Sequence, residues 1–153
     1  MLKHIPETYE IIGKIGSGKS GDVYKAYHKN LRTYVVLKKV KTEFRNLVNN
    51  RAEVDVLKNL RHSGLPQVYD FLEVDGDVYT VMTFVEGNSF GQYLDSGREF
   101  EEKSVIIWAR QICATLCYMH EQKPPIVHGD LKPENIMLRP DGNICLIDFN
   151  ISA

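Results

Sequence analysis

Gly16-Ser17-Gly18-Lys19-Ser20-Gly21 spaces three glycines as GxGxxG. Such a loop lets backbone amides come close to a phosphate group. The overlapping stretch from Gly13 to Ser20 also reads GxxxxGK[ST], in which Lys19 and Ser20 would open a helix and hold phosphate at its N-terminus. A third reading is a tight hairpin with no ligand. Far along the chain, Val127-His128-Gly129-Asp130-Leu131-Lys132-Pro133-Glu134-Asn135 gathers acidic, basic and amide side chains into nine residues. The apolar run Ile144-Cys145-Leu146-Ile147 then ends on Asp148. Cys113, Cys117 and His120, at i, i+4 and i+7, share one face of any helix they lie on. A metal site is imaginable there, but cysteine is commonly a small buried hydrophobe, and core packing is the preferred reading.

The chain that must position these groups has 153 residues, 43% hydrophobic and 25% charged. This is ordinary globular usage, and by length alone it suggests one domain. Lys+Arg 19 against Asp+Glu 20 leaves a net charge of −1, which gives no electrostatic case for nucleic acid or an anionic membrane. The longest apolar run, at 105–109, is five residues, so no transmembrane helix is expected. The N-terminus Met1-Leu2-Lys3-His4-Ile5-Pro6-Glu7 lacks the apolar core of a signal peptide. Three cysteines without a CxxC read as buried thiols in a reducing, cytoplasmic setting.

Residue patterning predicts strands over 9–15, 23–27 and 34–40, the last rich in β-branched residues. A helix is expected over 43–60, with Thr42 as N-cap and Gly64 and Pro66 beyond its end. Strands over 68–74 and 78–85 flank Asp75-Gly76-Asp77, a strong hairpin signal. Gly87 marks the best boundary, dividing the chain into 1–86 and 87–153. A short helix follows over 89–94. A long one over 101–120 is apolar on more than one stripe and is therefore expected to be buried on several sides. A loop over 127–135, a strand over 136–138, an Asp141-Gly142 turn and a strand over 144–147 complete the chain.

These elements separate the two glycine-loop readings. A P-loop ATPase needs a helix directly after Lys19-Ser20 and alternating βα units around a parallel sheet, with Asp148 at a strand end near Mg2+. Gly21, followed by β-branched and aromatic residues, disfavours that helix. The Asp75-Gly76 hairpin contradicts the parallel sheet.

The chain instead resembles the protein kinase family. The hairpin of Ile15, Gly16, Ser17, Gly18, Gly21 and Val23 is similar to that family's ATP-covering loop, and Val35-Val36-Leu37-Lys38 to its VAIK strand. Val127 to Asn135 matches HRDLKPEN at all but one position, and Asp148-Phe149-Asn150 resembles DFG. The resemblance implies an α+β fold: an N-terminal lobe of antiparallel sheet plus one helix, then part of a helical lobe, with nucleotide near Gly87. It implies that Lys38 binds the α- and β-phosphates and pairs with Glu53. Asp130 accepts the substrate hydroxyl proton, Lys132 neutralises γ-phosphate charge, and Asn135 and Asp148 hold Mg2+, with Mn2+ an alternative. Hard oxygen donors and phosphates suit such an ion. Met82 becomes the gatekeeper, backbone groups of Thr83 and Val85 meet the adenine edge, and Ile15, Val23, Val36 and Leu138 sandwich its ring. Lys132 marks the serine/threonine form, so the implied activity is transfer of the ATP γ-phosphoryl group to a protein. The other class of function is a nucleotide-binding interaction module without turnover.

Gly129 replaces the family's Arg, which implies control independent of activation-loop phosphorylation. Asn150 replaces the DFG glycine, and asparagine tolerates a left-handed backbone better than most residues. The sequence runs three residues past Asp148-Phe149-Asn150 and covers a little over half of such a domain. The long apolar helix is then expected to expose a hydrophobic surface and drive homodimer or higher association.

Overall fold

The computed structural model describes residues 2–16, 21–40 and 51–147, with backbone only for 51–54. Two compact units emerge. The first comprises 1–59 and 67–84, and the second 60–66 and 85–153.

In the first unit, strands β1 (Tyr9–Gly16), β2 (Val23–His28), β3 (Thr33–Lys39), β4 (Val68–Val74) and β5 (Asp77–Thr83) form one sheet in the order β1-β2-β3-β5-β4. Every neighbouring pair is antiparallel. Helix α1 (Arg51–Asn59) packs against β4. The expected helix start at 43–50 lies outside the described residues. Val23 begins a strand, as residue patterning predicts, and a helix-opening phosphate loop is thereby excluded.

The period of two along each strand sorts the sheet into two faces. Tyr9, Tyr24, Ala26, Val35, Leu37, Val74, Tyr79 and Val81 are buried together as one core. Burial pushes the Tyr79 hydroxyl up to about 12. The β4–β5 turn is two residues, Asp75 and Gly76, both at positive φ (53° and 82°). That pair of signs matches the twist of the flanking strands. The Asp75 carboxylate also accepts from the Lys3 amide (3.2 Å) and lies 2.9 Å from His4 Nδ1.

In the second unit, β6 (Asn88–Ser89), β7 (Ile136–Leu138) and β8 (Ile144–Leu146) form a small antiparallel sheet. Helix α2 (Phe90–Asp95) starts from a reciprocal cap. The Ser89 hydroxyl accepts from Gln92 N (3.1 Å), while Gln92 Oε1 accepts from Ser89 N (2.8 Å). Helix α3 (Glu102–His120) is docked onto the β7–β8 turn. Trp108 Nε1 donates to the Gly142 carbonyl (2.9 Å), and Gln111 bonds both Asn143 Oδ1 and Ile144 N.

Two expectations are corrected. The α3 helix is not buried on several sides: only Thr115 and Met119 are buried, while Val105, Ile106 and Ile107 are 47%, 45% and 54% exposed. Its apolar residues exceed what the described residues cover. Of the three cysteines, Cys145 alone is buried, and Cys113 and Cys117 are exposed. Among the described residues no cluster of three His, Cys, Asp or Glu is assembled to hold a metal. The two compact units meet in the chain at Phe84 and Val85, and the segment 60–66 goes with the second unit. Hydrogen bonds explain that crossing. Arg61 N donates to Tyr118 Oη (2.8 Å), Leu146 N to the Gly64 carbonyl (2.8 Å), and the Arg139 guanidinium to the Ser63 carbonyl.

Candidate functional site

The polar segment before β7 folds into a tight knot. His128 is 2% exposed. Its Nε2 donates to the Ile147 carbonyl (2.8 Å), and its Nδ1 accepts from the Asp130 amide (3.2 Å). Those two bonds define the neutral tautomer with the proton on Nε2. One imidazole thus joins the Asp130 loop to the end of β8, immediately before Asp148. Gly129, between them, takes φ +76°, a backbone that costs a side-chain-bearing residue about 1 kcal/mol.

A 3₁₀ turn, Pro133–Asn135, follows, with proline at its first position where no amide is needed. It carries Asn135 inward, to 4% exposure. Asn135 Nδ2 donates to the Asp130 carbonyl (2.8 Å) and to Asp130 Oδ2 (3.1 Å). Lys132 Nζ lies 3.5 Å from the same Oδ2. The Asp130 side chain is 46% exposed, and its Oδ1 has no partner among the described residues. Asp130, Lys132 and Asn135, selected from sequence, are therefore brought together. Asp148 lies outside the described residues.

The donor set suits a hard cation. The Asn135 nitrogen is committed to Asp130, which leaves its amide oxygen to coordinate beside a carboxylate. The softer imidazole of His128 has both nitrogens engaged.

In the first unit, cross-strand register puts Val23 opposite Lys38, and Val36 opposite Met82. Directly opposed residues share a face. Val23, Val36, Lys38 and Met82 consequently lie together on the face away from the tyrosine-rich core. Lys38 is half-buried there and has a partner. The Glu53 backbone lies in α1, and its side chain is outside the described residues, as are Ser17 and Gly18. Gly16 ends β1, Ile15 beside it is 53% exposed, and Gly21 precedes β2 with φ +89°. The base of this hairpin is closed by an ion pair, Lys14 Nζ to Asp22 Oδ1 at 2.9 Å. It holds the Asp22 carboxyl below its ordinary range.

The link at 83–87 is described in part by each unit. Thr83 N donates to the Gln67 carbonyl (2.9 Å), and the Thr83 hydroxyl oxygen accepts from Gln67 N (3.1 Å). Val85 is half-buried. Gly87 has φ +113°, and a Cβ there would sit 2.0 Å from the Leu138 carbonyl oxygen. Leu138 is itself 8% exposed.

Sequence reasoning assigned no role to His128, although its place two residues before Asp130 is the signal that could have found it. The approach of His62 Nδ1 to Thr115 Oγ1 (3.5 Å), and of Gly64 to the same hydroxyl, carried no local signal at all.

A family model described as "Protein kinase domain" matches residues 9–153. Cyclin-dependent kinase 1 of Encephalitozoon cuniculi is 36% identical over 152 residues, covering 95% of this chain and 50% of that protein. Maternal embryonic leucine zipper kinase of Danio rerio is 32% identical, covering 100% of this chain and 22% of that protein. The serine/threonine-protein kinase cds1 of Schizosaccharomyces pombe is 29% identical, covering 99% and 34%. The chain thus spans half or less of the length of these relatives.

Proposed function

The chain belongs to the protein kinase family, and from that premise we propose that it binds ATP with Mg2+ and transfers the γ-phosphoryl group to a serine or threonine hydroxyl of a protein. The observation that carries this reading is the Asp130–Asn135–Lys132 group. Asn135 and Lys132 both engage Oδ2, which leaves Oδ1 to accept the hydroxyl proton. The hydroxyl oxygen bonds to the γ-phosphorus, the bond to the β–γ bridging oxygen breaks, and ADP departs. Lys132 offsets charge on the transferring group with its ammonium, a role supported by its approach to Asp130 Oδ2 at 3.5 Å. The bound cation supplies neutralisation of phosphate charge. Asn135 would hold it through its amide oxygen, together with Asp148; Lys38, oriented by Glu53, holds the α- and β-phosphates.

The same proposal gives adenine its place. Val23, Val36, Ile15 and Leu138 flank the ring, Met82 limits its depth, and the Thr83 carbonyl and the Val85 backbone meet its edge. The glycines 16, 18 and 21 with Ser17 cover the phosphates. Protein substrates are the partners this family implies, and the exposed α3 residues favour self-association of the 153-residue chain. Three free thiols, two of them exposed, support a reducing, cytoplasmic compartment. No helix among the described residues is long and apolar enough to cross a membrane.

The test is transfer of radiolabel from γ-labelled ATP, for wild type and Asp130→Asn, alongside thermal shifts with ATP and with Mg-ATP. Loss of a general base lowers turnover by about 100-fold or more. Activity that survives Asp130→Asn would defeat the role given to Asp130. Binding without turnover in wild type would favour an interaction module instead.

A further inference from the structure

Lys25 lies on β2, one residue pair beyond the Val23–Lys38 pair along the nucleotide face, and the reading of that face gives it no role. Its ammonium is held between two aromatic rings. Nζ stands 4.5 Å from the Tyr34 ring centroid and 4.1 Å from that of Phe84. Tyr34 also meets Tyr27, edge-on at 5.3 Å and 66°. The backbone reinforces the arrangement: Phe84 N donates to the Tyr34 carbonyl (3.4 Å). Lys25 stands opposite Val36, so its stem crosses β3 to reach a residue just past the end of β5.

This is a specific use of a lysine. An ammonium over an aromatic face is attracted by the ring's negative centre, more strongly when partly removed from water. Lys25 and Phe84 are both half-buried. Phe84 lies just past the end of β5, and both its long hydrogen bond to Tyr34 and its ring contact with Lys25 tie it to the sheet. Phe84 separates Thr83 from Val85, the two residues whose backbone groups are given the adenine edge.

We propose that Lys25 is a positioning residue for adenine: by clamping the Phe84 ring against Tyr34 it sets the backbone on either side of Phe84. The inference rests on the nucleotide reading above. Its consequence is specific. Losing the clamp weakens binding of the adenine nucleotide without touching the groups that move the proton or hold phosphate.

The experiment is calorimetric titration of the full chain with Mg-ATP, for wild type, Lys25→Met, Lys25→Arg, Phe84→Leu and Lys25→Met/Phe84→Leu, with thermal unfolding of each without ligand. Lys25→Met is expected to raise the dissociation constant about three- to ten-fold, as the strength of such contacts allows. Lys25→Arg, which keeps a cation over the rings, restores binding. In the Phe84→Leu background, Lys25→Met has no further effect, because the two act through one contact. Where turnover is measurable, KM for ATP rises and kcat holds. Unchanged affinity in Lys25→Met, or an equal loss with and without Phe84, overturns the inference and leaves the kinase reading intact. Absence of nucleotide binding in wild type overturns both.

Discussion

Asn135 directs its side-chain amide nitrogen at one residue, Asp130, lying 2.8 Å from its carbonyl oxygen and 3.1 Å from Oδ2. A buried amide at 4% exposure thereby fixes both the backbone and the carboxylate of a half-exposed acid. Replacing Asn135 by Leu removes the donor and leaves the Asp130 carbonyl unsatisfied. The expected loss is about 2 kcal/mol in urea unfolding. Asn135→Asp is expected to be worse at neutral pH, because it sets a second carboxylate against Oδ2, and to recover part of the loss in acid as one of the two protonates.

Gly87 is required twice over. Its φ of +113° lies where side chains are strained, and a Cβ would meet the Leu138 carbonyl oxygen at 2.0 Å. Gly87→Ala is expected to cost about 3 kcal/mol. Gly97→Ala is the control: its φ is +78° and nothing lies within 4 Å of a Cβ. It isolates the backbone share, about 1 kcal/mol. Equal losses for the two would show that the Leu138 contact is relieved by a shift of β7.

The thiols should separate by burial. Desolvation pushes Cys145 up to about 11, so at pH 8 it is neither ionised nor accessible. Cys113 and Cys117 are exposed. A disulfide reagent is expected to titrate those two in the native chain and the third only after unfolding. Cys145→Ser, which retains one fast class of two thiols, identifies the slow one.

The Lys14–Asp22 pair predicts a pH effect of known sign. Asp22 is held below its ordinary value chiefly by its hydrogen bond from Lys14. Its stabilising effect is present above the unfolded carboxylate value (about 3.9) and is lost as pH falls through the lower folded value. Carbon-detected titration of the Asp22 carboxyl should show the depression in wild type and its disappearance in Lys14→Met. Since both side chains are well exposed, the depression should shrink in high salt.

Val105, Ile106 and Ile107 present three consecutive exposed apolar side chains on α3. The 153-residue chain is expected to associate through them at roughly tens of micromolar, where such surfaces self-associate. Light scattering should report a dimer or larger species, and Ile106→Lys/Ile107→Lys should return it to a monomer. A monomeric wild type at that concentration would sink the expectation.

Several features of this protein were legible in its sequence because they are local. Alternation along 23–28 and 33–39 is a property of each strand, and Asp75-Gly76 carries the positive φ values its turn needs. The Asp130–Asn135 knot closes within six residues, so its chemistry travels with the motif. Tertiary structure decided what depends on residues far apart in the chain. A helical stripe states which residues are apolar, and an exposed apolar surface is expected on this helix, but which side chains form it, Val105 to Ile107 among them, follows only from the packing. The segment 60–66 has no pattern of its own that assigns it to the second unit. Gly64 lies there because a Cβ would strike Thr115 Oγ1 at 2.0 Å and its carbonyl takes the Leu146 amide. Likewise nothing local in the sequence distinguishes Lys25. It becomes a clamp only when β3 and β5, joined through 37 intervening residues, bring Tyr34 and Phe84 together around it.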